Sequence, residues 1–263
     1  MRGSASSTAQ GVAVVRSGFR DRPHTPDGDP GAQRRISRWM RAGRAPLLRD
    51  HLYARTIFFD ARVLDAIERG IDQVVILGAG YEDRALRFRS PGVRFFELDE
   101  PATQRHKRRR VKRLRGDTSG IVFVAADFAH DSVADLLSAA GQDAARPTLF
   151  VCEGLVVYLE ASEIVELLRA LATRAAPGSE LAVSLAVHED GLPTAEVTRI
   201  ANARRGRGGL REPWRTILPA AEHLALLDAA GWGEHETTDD SELYAAARGG
   251  RSLLVRAWLT VGE

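Results

Sequence analysis

Gln73-Val-Val-Ile-Leu-Gly-Ala-Gly-Tyr-Glu-Asp-Arg-Ala-Leu-Arg87 reads as a buried strand, a tight turn and a helix start in one continuous stretch. The apolar run Val74 to Leu77 leads directly into Gly78-Ala79-Gly80, and a helix-like pattern opens at Glu82. Glycines at such a turn accept backbone conformations closed to other residues and let a ligand come close to the main chain. A second apolar run ends in Phe95-Phe96-Glu97-Leu98-Asp99, which sets an acid 21 residues beyond Gly78. A nucleoside-binding βαβ unit uses a carboxylate at about 20 residues to accept hydrogen bonds from ribose hydroxyls.

The turn departs from a dinucleotide fingerprint. Position 83 holds Asp83 where a third glycine would stand, and Glu82 beside it adds negative charge where a pyrophosphate would sit. That pattern disfavours a dinucleotide. It favours a positively charged nucleoside without phosphate, of which S-adenosylmethionine is the common example.

With 263 residues, 44% hydrophobic and 27% charged, the chain predicts one soluble domain with a sizeable core. No run of 18 or more apolar residues is present, and the N-terminus lacks the apolar core of a secretory signal. Cys152, the single cysteine, sits in an apolar run and reads as core packing in a reducing cytoplasm. The net charge is only +2, yet eight of the eleven residues from Arg105 to Arg115 are Arg or Lys. The basic character is local, not general.

Around the opening stretch the pattern alternates. Candidate strands at 73–78, 93–98, 121–126, 147–153 and 180–187 are separated by helix-patterned segments at 82–89, 101–114, 131–140 and 161–175. Upstream, 52–69 reads as a helix with Phe59, Val63, Leu64 and Ile67 on one face. Residues 1–50 read as short helices and loops over the core, a lid segment, with Ile36, Trp39 and Met40 at helical spacing. Residues 188–216 form a polar, Arg/Gly-rich insertion on the substrate side, followed by a helix over about 219–230 and a strand-like run, Leu253 to Leu259. Five parallel strands, a late helix and two terminal strands give the expected fold: α/β, a single domain with a seven-stranded, mostly parallel sheet covered by helices on both faces.

In an open parallel sheet, ligands bind beyond the carboxyl ends of the strands. Those ends carry Gly78-Ala79-Gly80, then Glu97 and Asp99, then Asp127-Phe128, then Glu153-Gly154. Together with Leu77-Gly78-Ala79-Gly80, the segments Phe96-Glu97-Leu98-Asp99-Glu100-Pro101 and Glu153-Gly154-Leu155-Val156-Val157-Tyr158-Leu159 resemble the motifs of the leucine carboxyl methyltransferase family. Its bacterial branch, which includes polyketide carboxyl O-methyltransferases, is the most similar. Thr8-Ala9-Gln10-Gly11-Val12-Ala13, Asp29-Pro30-Gly31-Ala32, Arg55-Thr56-Ile57-Phe58-Phe59-Asp60, Gly231-Trp232 and Glu242-Leu243-Tyr244 match further segments. The resemblance implies a Rossmann-like class I methyltransferase with S-adenosylmethionine as cofactor. It implies that Arg55 binds the cofactor's carboxylate and that Gly78, Ala79 and Gly80 line it. Asp99 would take the ribose hydroxyls, Asp127 the adenine amino group with the backbone of Phe128 on the ring edge, and Glu153 the amino group of the methionine part. Tyr158 would stand on the substrate side as the one catalytic candidate.

The family's Gly-Ala-Gly-x-Asp-Thr-Arg appears here as Gly78-Ala79-Gly80-Tyr81-Glu82-Asp83-Arg84, and the 188–216 insertion has no clear counterpart. A methyl on a sulfonium is already activated, so its transfer depends chiefly on positioning. A carboxylate acceptor needs no base; a hydroxyl acceptor does, with His51, His188 or Tyr158 as helpers. The expectation is thus a cytoplasmic O-methyltransferase of secondary metabolism acting on a small molecule, a carboxylate first and a hydroxyl second. An RNA methyltransferase and a non-catalytic cofactor-binding protein are the weaker readings. Nucleic acid is disfavoured because the basic run lacks interleaved aromatics. No metal site is expected, since no His-Glu-x-x-His or cysteine pair occurs. The oligomeric state is left open.

Overall fold

The computed structural model describes residues 5–41, 49–114, 117–189, 191–207, 212–244 and 252–260. Seven strands form one sheet in the order β3-β2-β1-β4-β5-β7-β6. They are β1 Gln73–Leu77, β2 Arg94–Asp99, β3 Ile121–Ala125, β4 Thr148–Cys152, β5 Glu180–Ala186, β6 Glu234–Asp239 and β7 Ser252–Trp258. The first five run parallel, and β7 inserts antiparallel between β5 and β6. Strand order therefore reverses between β1 and β4, which is where a ligand crevice opens in such sheets.

Period-two alternation assigns the strand residues to two cores. Val75, Leu77, Phe96 and Phe150 face a cluster with α6 Val133–Ala139, α7 Ala161–Ala172 and α9 Ala220–Ala229. Val74, Ile76, Phe95 and Leu149 face the other side, against Phe59, Val63 and Ala66 of α3 Arg49–Glu68. Ile164, Leu167, Leu168 and Leu171 are the buried stripe of α7, whose start is fixed by a Glu160/Glu163 capping box. Trp232 is fully buried, packs edge-on to Phe150 at 6.0 Å and donates its indole N–H to the Leu168 carbonyl at 3.0 Å.

The N-terminal segment contributes α1 Ser7–Ser17 and α2 Ala32–Ser37, which pack together over α5 Pro101–Arg113 and the turn after β1. Two expectations fail here. The helix expected at 82–89 is a single turn, α4 Arg84–Arg87, because Glu82 and Asp83 are drawn into buried ion pairs instead of opening a helix. The helical spacing through Trp39 also breaks. Chain reversal after Ser37 puts Trp39 at φ +70 and leaves the residue 85% exposed, while Ile36 stays buried. Arg110 of α5 donates to the Ile36 carbonyl at 2.7 Å and to that of Arg38, satisfying the end of α2 from outside.

Within the 188–216 insertion, α8 Thr194–Arg207 forms, and the returning chain docks on the site end of the sheet. Arg215 donates its N–H to the Val157 carbonyl at 2.8 Å, and Thr216 its hydroxyl to the Leu159 carbonyl at 2.5 Å. The short helix α10 Asp240–Leu243 follows β6. No helix among the described residues is long and apolar enough to cross a membrane.

Replacing Trp232 by Ala removes the largest fully buried side chain among the described residues and its bond to Leu168. The expected cost is about 3–5 kcal/mol in urea unfolding followed by circular dichroism; a loss below about 1 kcal/mol would show that the Trp232 cavity collapses freely.

Candidate functional site

The turn after β1 has the backbone that its sequence requires: Gly78 at φ +65 and Gly80 at φ +50. Both are in the left-handed region that favours glycine. The space above them is shared with other elements. A Cβ on Gly80 would stand 3.2 Å from the Cβ of Ala9 in α1, and one on Gly78 would stand 3.3 Å from that of Leu155. Gly80 N–H donates to Asp99 at the end of β2, and Glu100 N–H donates to the other Asp99 oxygen at 2.7 Å. Burial pushes the Asp99 carboxyl up to about 6 against these two donors. Glu97 lies inside β2, not at its end, and its carboxylate meets Lys107 at 2.8 Å. Burial pushes Glu97 up to about 7 in spite of that ammonium.

Beneath the turn lies a cluster of charge. Glu153, just past β4, is held by Arg16 of α1, by Arg55 of α3 at 3.2 Å and by Arg84 of α4 at 2.8 Å. Gly154, at φ +67, leaves the room this needs: a Cβ there would come within 2.7 Å of Arg55 Nη2. Burial alone would raise the Glu153 pKa, but the Coulombic pull of Arg16, Arg84 and Arg55 holds it far below the ordinary carboxylate value. Asp60, five residues after Arg55, accepts from Arg84 at 2.8 Å and from Arg87 at 2.7 Å. Asp83 is clamped by Arg87 at 3.1 Å and by Arg22 at 3.0 Å, and Glu82 meets Arg84 at 2.6 Å. Opposed to burial, those arginines keep Asp83 below its usual pKa.

This corrects one expectation. The charge of Glu82 and Asp83 is consumed by Arg84, Arg22 and Arg87, so it is not presented to a ligand at a helix N-terminus. The cluster as a whole is cationic: five guanidiniums (Arg16, Arg22, Arg55, Arg84, Arg87) oppose four carboxylates (Asp60, Glu82, Asp83, Glu153), a surplus of one positive charge. Arg16 Nε and Arg84 Nη2 are buried with no acceptor among the described residues. Each unmet buried donor costs about 1–3 kcal/mol. Arg22 Nε is likewise without an acceptor and Glu82 Oε1 without a donor among the described residues. A monoanionic carboxylate would balance the surplus charge.

Of the residues singled out from the sequence, the structure brings together Arg55, Gly78, Ala79, Gly80, Asp99 and Glu153 around the ends of β1, β2 and β4. Asp127 and Phe128 follow β3, one strand further out; Asp127 accepts from Ala129 N–H at 3.2 Å in a local turn, and Phe128 packs against the core. Tyr158 lies half-buried on the 3-10 turn Val156–Tyr158, next to the docked end of the 188–216 insertion. His188 is engaged at both nitrogens, Nδ1 to the Glu189 carbonyl at 2.7 Å and Nε2 to the Thr194 hydroxyl at 3.0 Å. His51 pairs through Nδ1 with fully buried Asp240 at 2.9 Å. Register puts Asp239 beside Leu253, next to the pair Ser252–Ala186, so this His–Asp pair lies at the ligand end of the sheet. Sequence reading missed Arg16, Asp60, Arg84 and Arg87. The signal for Arg16 was its place on the core side of α1, in step with Ala13.

The leucine carboxyl methyltransferase family model matches residues 15–172. Among curated proteins, one from Parafrankia sp. named as an S-adenosyl-L-methionine-dependent methyltransferase is 36% identical over 208 residues, covering 76% of this chain and 64% of that protein. One from Mycolicibacterium smegmatis with the same kind of name is 35% identical, covering 76% and 62%. The chain thus spans a little under two thirds of the length of these relatives. Among solved structures, a DUF574 family protein from Streptomyces avermitilis superposes with a TM-score of 0.60 at 20% identity, covering 98% of both chains. Magnesium protoporphyrin IX methyltransferase from Synechocystis, solved with bound SAH, gives 0.54 at 15% identity over 86% of this chain and 92% of that one. These likenesses show the fold, a class I methyltransferase sheet.

Asp60→Asn leaves Arg84 and Arg87 short of a buried counter-charge. The expected loss is about 3–5 kcal/mol in urea unfolding; a variant as stable as the parent would show that the cluster is not held through Asp60.

Proposed function

Because the chain belongs to the leucine carboxyl methyltransferase family, we propose that it is an S-adenosylmethionine-dependent O-methyltransferase acting on a small-molecule carboxylate. The observation that carries the cofactor half of this reading is the surplus guanidinium charge around Glu153, where Arg16 and Arg55 converge and Arg16 Nε has no acceptor among the described residues. Arg55 and Arg16 hold the cofactor's carboxylate, a planar fork suited to that group. Glu153, drawn off Arg55 and Arg16 as they turn to the ligand, takes the cofactor's amino group. Gly78, Ala79 and Gly80 bring the main chain up to the nucleoside, Asp99 exchanges Gly80 N–H for the ribose hydroxyls, and Asp127 with Phe128 closes the adenine side. The helix α1, with Ala9 across Gly80, acts as the lid. When bound, the cofactor supplies a methyl group on a sulfonium, activated for in-line displacement.

The side chains then have little chemistry to perform. An acceptor carboxylate is ionised at neutral pH, and orienting it falls in this reading to Tyr158 and to the segment docked beside it through Thr216, whose hydroxyl donates to the Leu159 carbonyl. A second reading, a hydroxyl acceptor, is favoured by the His51–Asp240 pair, in which a buried carboxylate orients an imidazole as it would a general base. Resemblance to polyketide carboxyl O-methyltransferases supports a role in secondary metabolism, and the lone Cys152 suits the cytoplasm.

Calorimetry with S-adenosylhomocysteine tests the cofactor half of the proposal. Arg55→Met is expected to weaken binding at least tenfold, the loss of a charged hydrogen bond worth about 1.5–3 kcal/mol. The pH dependence has a definite sign. Ribose hydroxyls need ionised Asp99, whose carboxyl titrates at about 6, so wild-type affinity should fall about tenfold from pH 7 to pH 5. Asp99→Asn should bind weakly with no such slope. Failure of the wild type to bind would end the reading.

Methyl transfer to panels of carboxylic acids and phenols decides the acceptor. The first proposal expects methyl esters and a rate that His51→Gln leaves within about threefold. Phenol methylation lost by about 10²-fold or more in His51→Gln would establish the second reading instead.

A further inference from the structure

Of the basic run from Arg105 to Arg115, Arg115 lies outside the described residues, and the rest divides once the chain is folded. Lys107 turns inward to Glu97, and Arg110 reaches across to the carbonyls that end α2. Arg105, Arg108, Arg109 and Lys112 remain exposed on one face of α5, at i, i+3, i+4 and i+7. Among the described residues, none of the four has a carboxylate partner. Nearby Asp117 is already paired with Arg89 at 2.5 Å.

This face borders an open cleft of about 680 Å³, floored by Ile121 and Phe123 of β3. The guanidinium of Arg108 lies 5.6 Å from the Phe123 ring. β3 is the outer strand of the sheet, paired only to β2 among the described residues. The bonds that bracket this pairing, Phe95 N–H to the Gly120 carbonyl at 2.8 Å and Ala126 N–H to the Asp99 carbonyl at 2.9 Å, direct even-numbered residues toward β2. The main-chain groups of Phe123 and Ala125 therefore face outward. The strand itself, Ile121-Val122-Phe123-Val124-Ala125, carries no charge and no proline, the usual devices that block an exposed edge.

We propose that this edge binds an acidic, extended segment of a partner polypeptide, which adds to β3 as a further strand while its carboxylates meet the α5 cations. Alternate side chains of an added strand repeat every ~6.6 Å, close to the ~5.4 Å rise of one helical turn, so successive acids meet successive cations. A second copy of this chain is a poor occupant, because pairing β3 with β3 sets like charges against like. Single-stranded nucleic acid is also less suited. Among the described residues that line the cleft, Phe123 is the one aromatic ring, and exposed Trp39 does not line it. The inference is independent of the cofactor and acceptor.

The test uses the full chain, a fluorescent peptide of alternating Val and Glu about eight residues long, its Val/Lys counterpart and a labelled ten-residue oligouridylate. Anisotropy in about 0.05 M salt should show binding of the acidic peptide and not of the basic one, weakened at least about tenfold in about 0.3 M salt. The triple variant R105E/R109E/K112E, checked for an unchanged thermal melt, should lose at least about tenfold in affinity. Saturating peptide should slow amide exchange at Phe123 and Ala125 at least about tenfold, which simple counter-ion pairing would not do. Tighter binding of oligouridylate than of the acidic peptide would make the face a nucleic-acid surface and overturn the proposal. So would peptide binding without protection at Phe123 and Ala125, or no binding in low salt.

Discussion

Glu153 accepts from three guanidiniums that arrive on three different helices, and most of what surrounds the ligand end of the sheet is positioned by that convergence. Arg16 ties α1 to β4, Arg55 ties α3 to it, and Arg84 ties in the single turn of helix that follows the glycines. Asp60 extends the same tie to Arg87. Buried ion pairs are poor sources of net stability, since desolvation takes back most of the Coulombic gain. What they provide here is mutual dependence: moving any one member leaves a buried charge without its partner, a cost of about 3–5 kcal/mol. The cluster is therefore rigid in its framework, and its one surplus positive charge is the part left for something else to balance.

Sheet architecture was largely legible because strands and their covering helices follow simple periods. Val74–Leu77, Phe95–Leu98 and Leu149–Val151 alternate between two cores, and the Ile164–Leu171 stripe marks α7 without ambiguity. Legibility ended where long-range electrostatics overrode local pattern. Glu82–Arg84 and Asp83–Arg87 pair close in the chain, but nothing local reveals that the same cluster takes in Arg22, Asp60 and Glu153, residues tens of positions away. The same holds at Trp39, where Arg110 satisfies the end of α2 and the helix stops short of its apolar spacing.

The candidate site shows a similar division. Asp99 and Gly80 were readable from their spacing, and the fold confirms that they touch. Asp60 was not, since an Asp beside a Phe carries no mark of being buried, and the only mark of Arg16 was its place in step with Ala13 on α1. The polar insertion after β5 likewise gave no hint that Arg215 and Thr216 would return to the turn bearing Tyr158. One basic run, read as a single feature, serves three purposes: Lys107 in the core, Arg110 on α2, and an unpaired stripe beside the open edge of β3.

The central claim is that the surplus charge at Glu153 is the seat of a ligand carboxylate, and a crystal structure with S-adenosylhomocysteine tests it most directly. The account requires the ligand's carboxylate within hydrogen-bonding distance of Arg55 and Arg16, Glu153 turned to its amino group, and Asp99 on its ribose. A complex in which Glu153 still holds all three guanidiniums, with the ligand bound elsewhere, would contradict it.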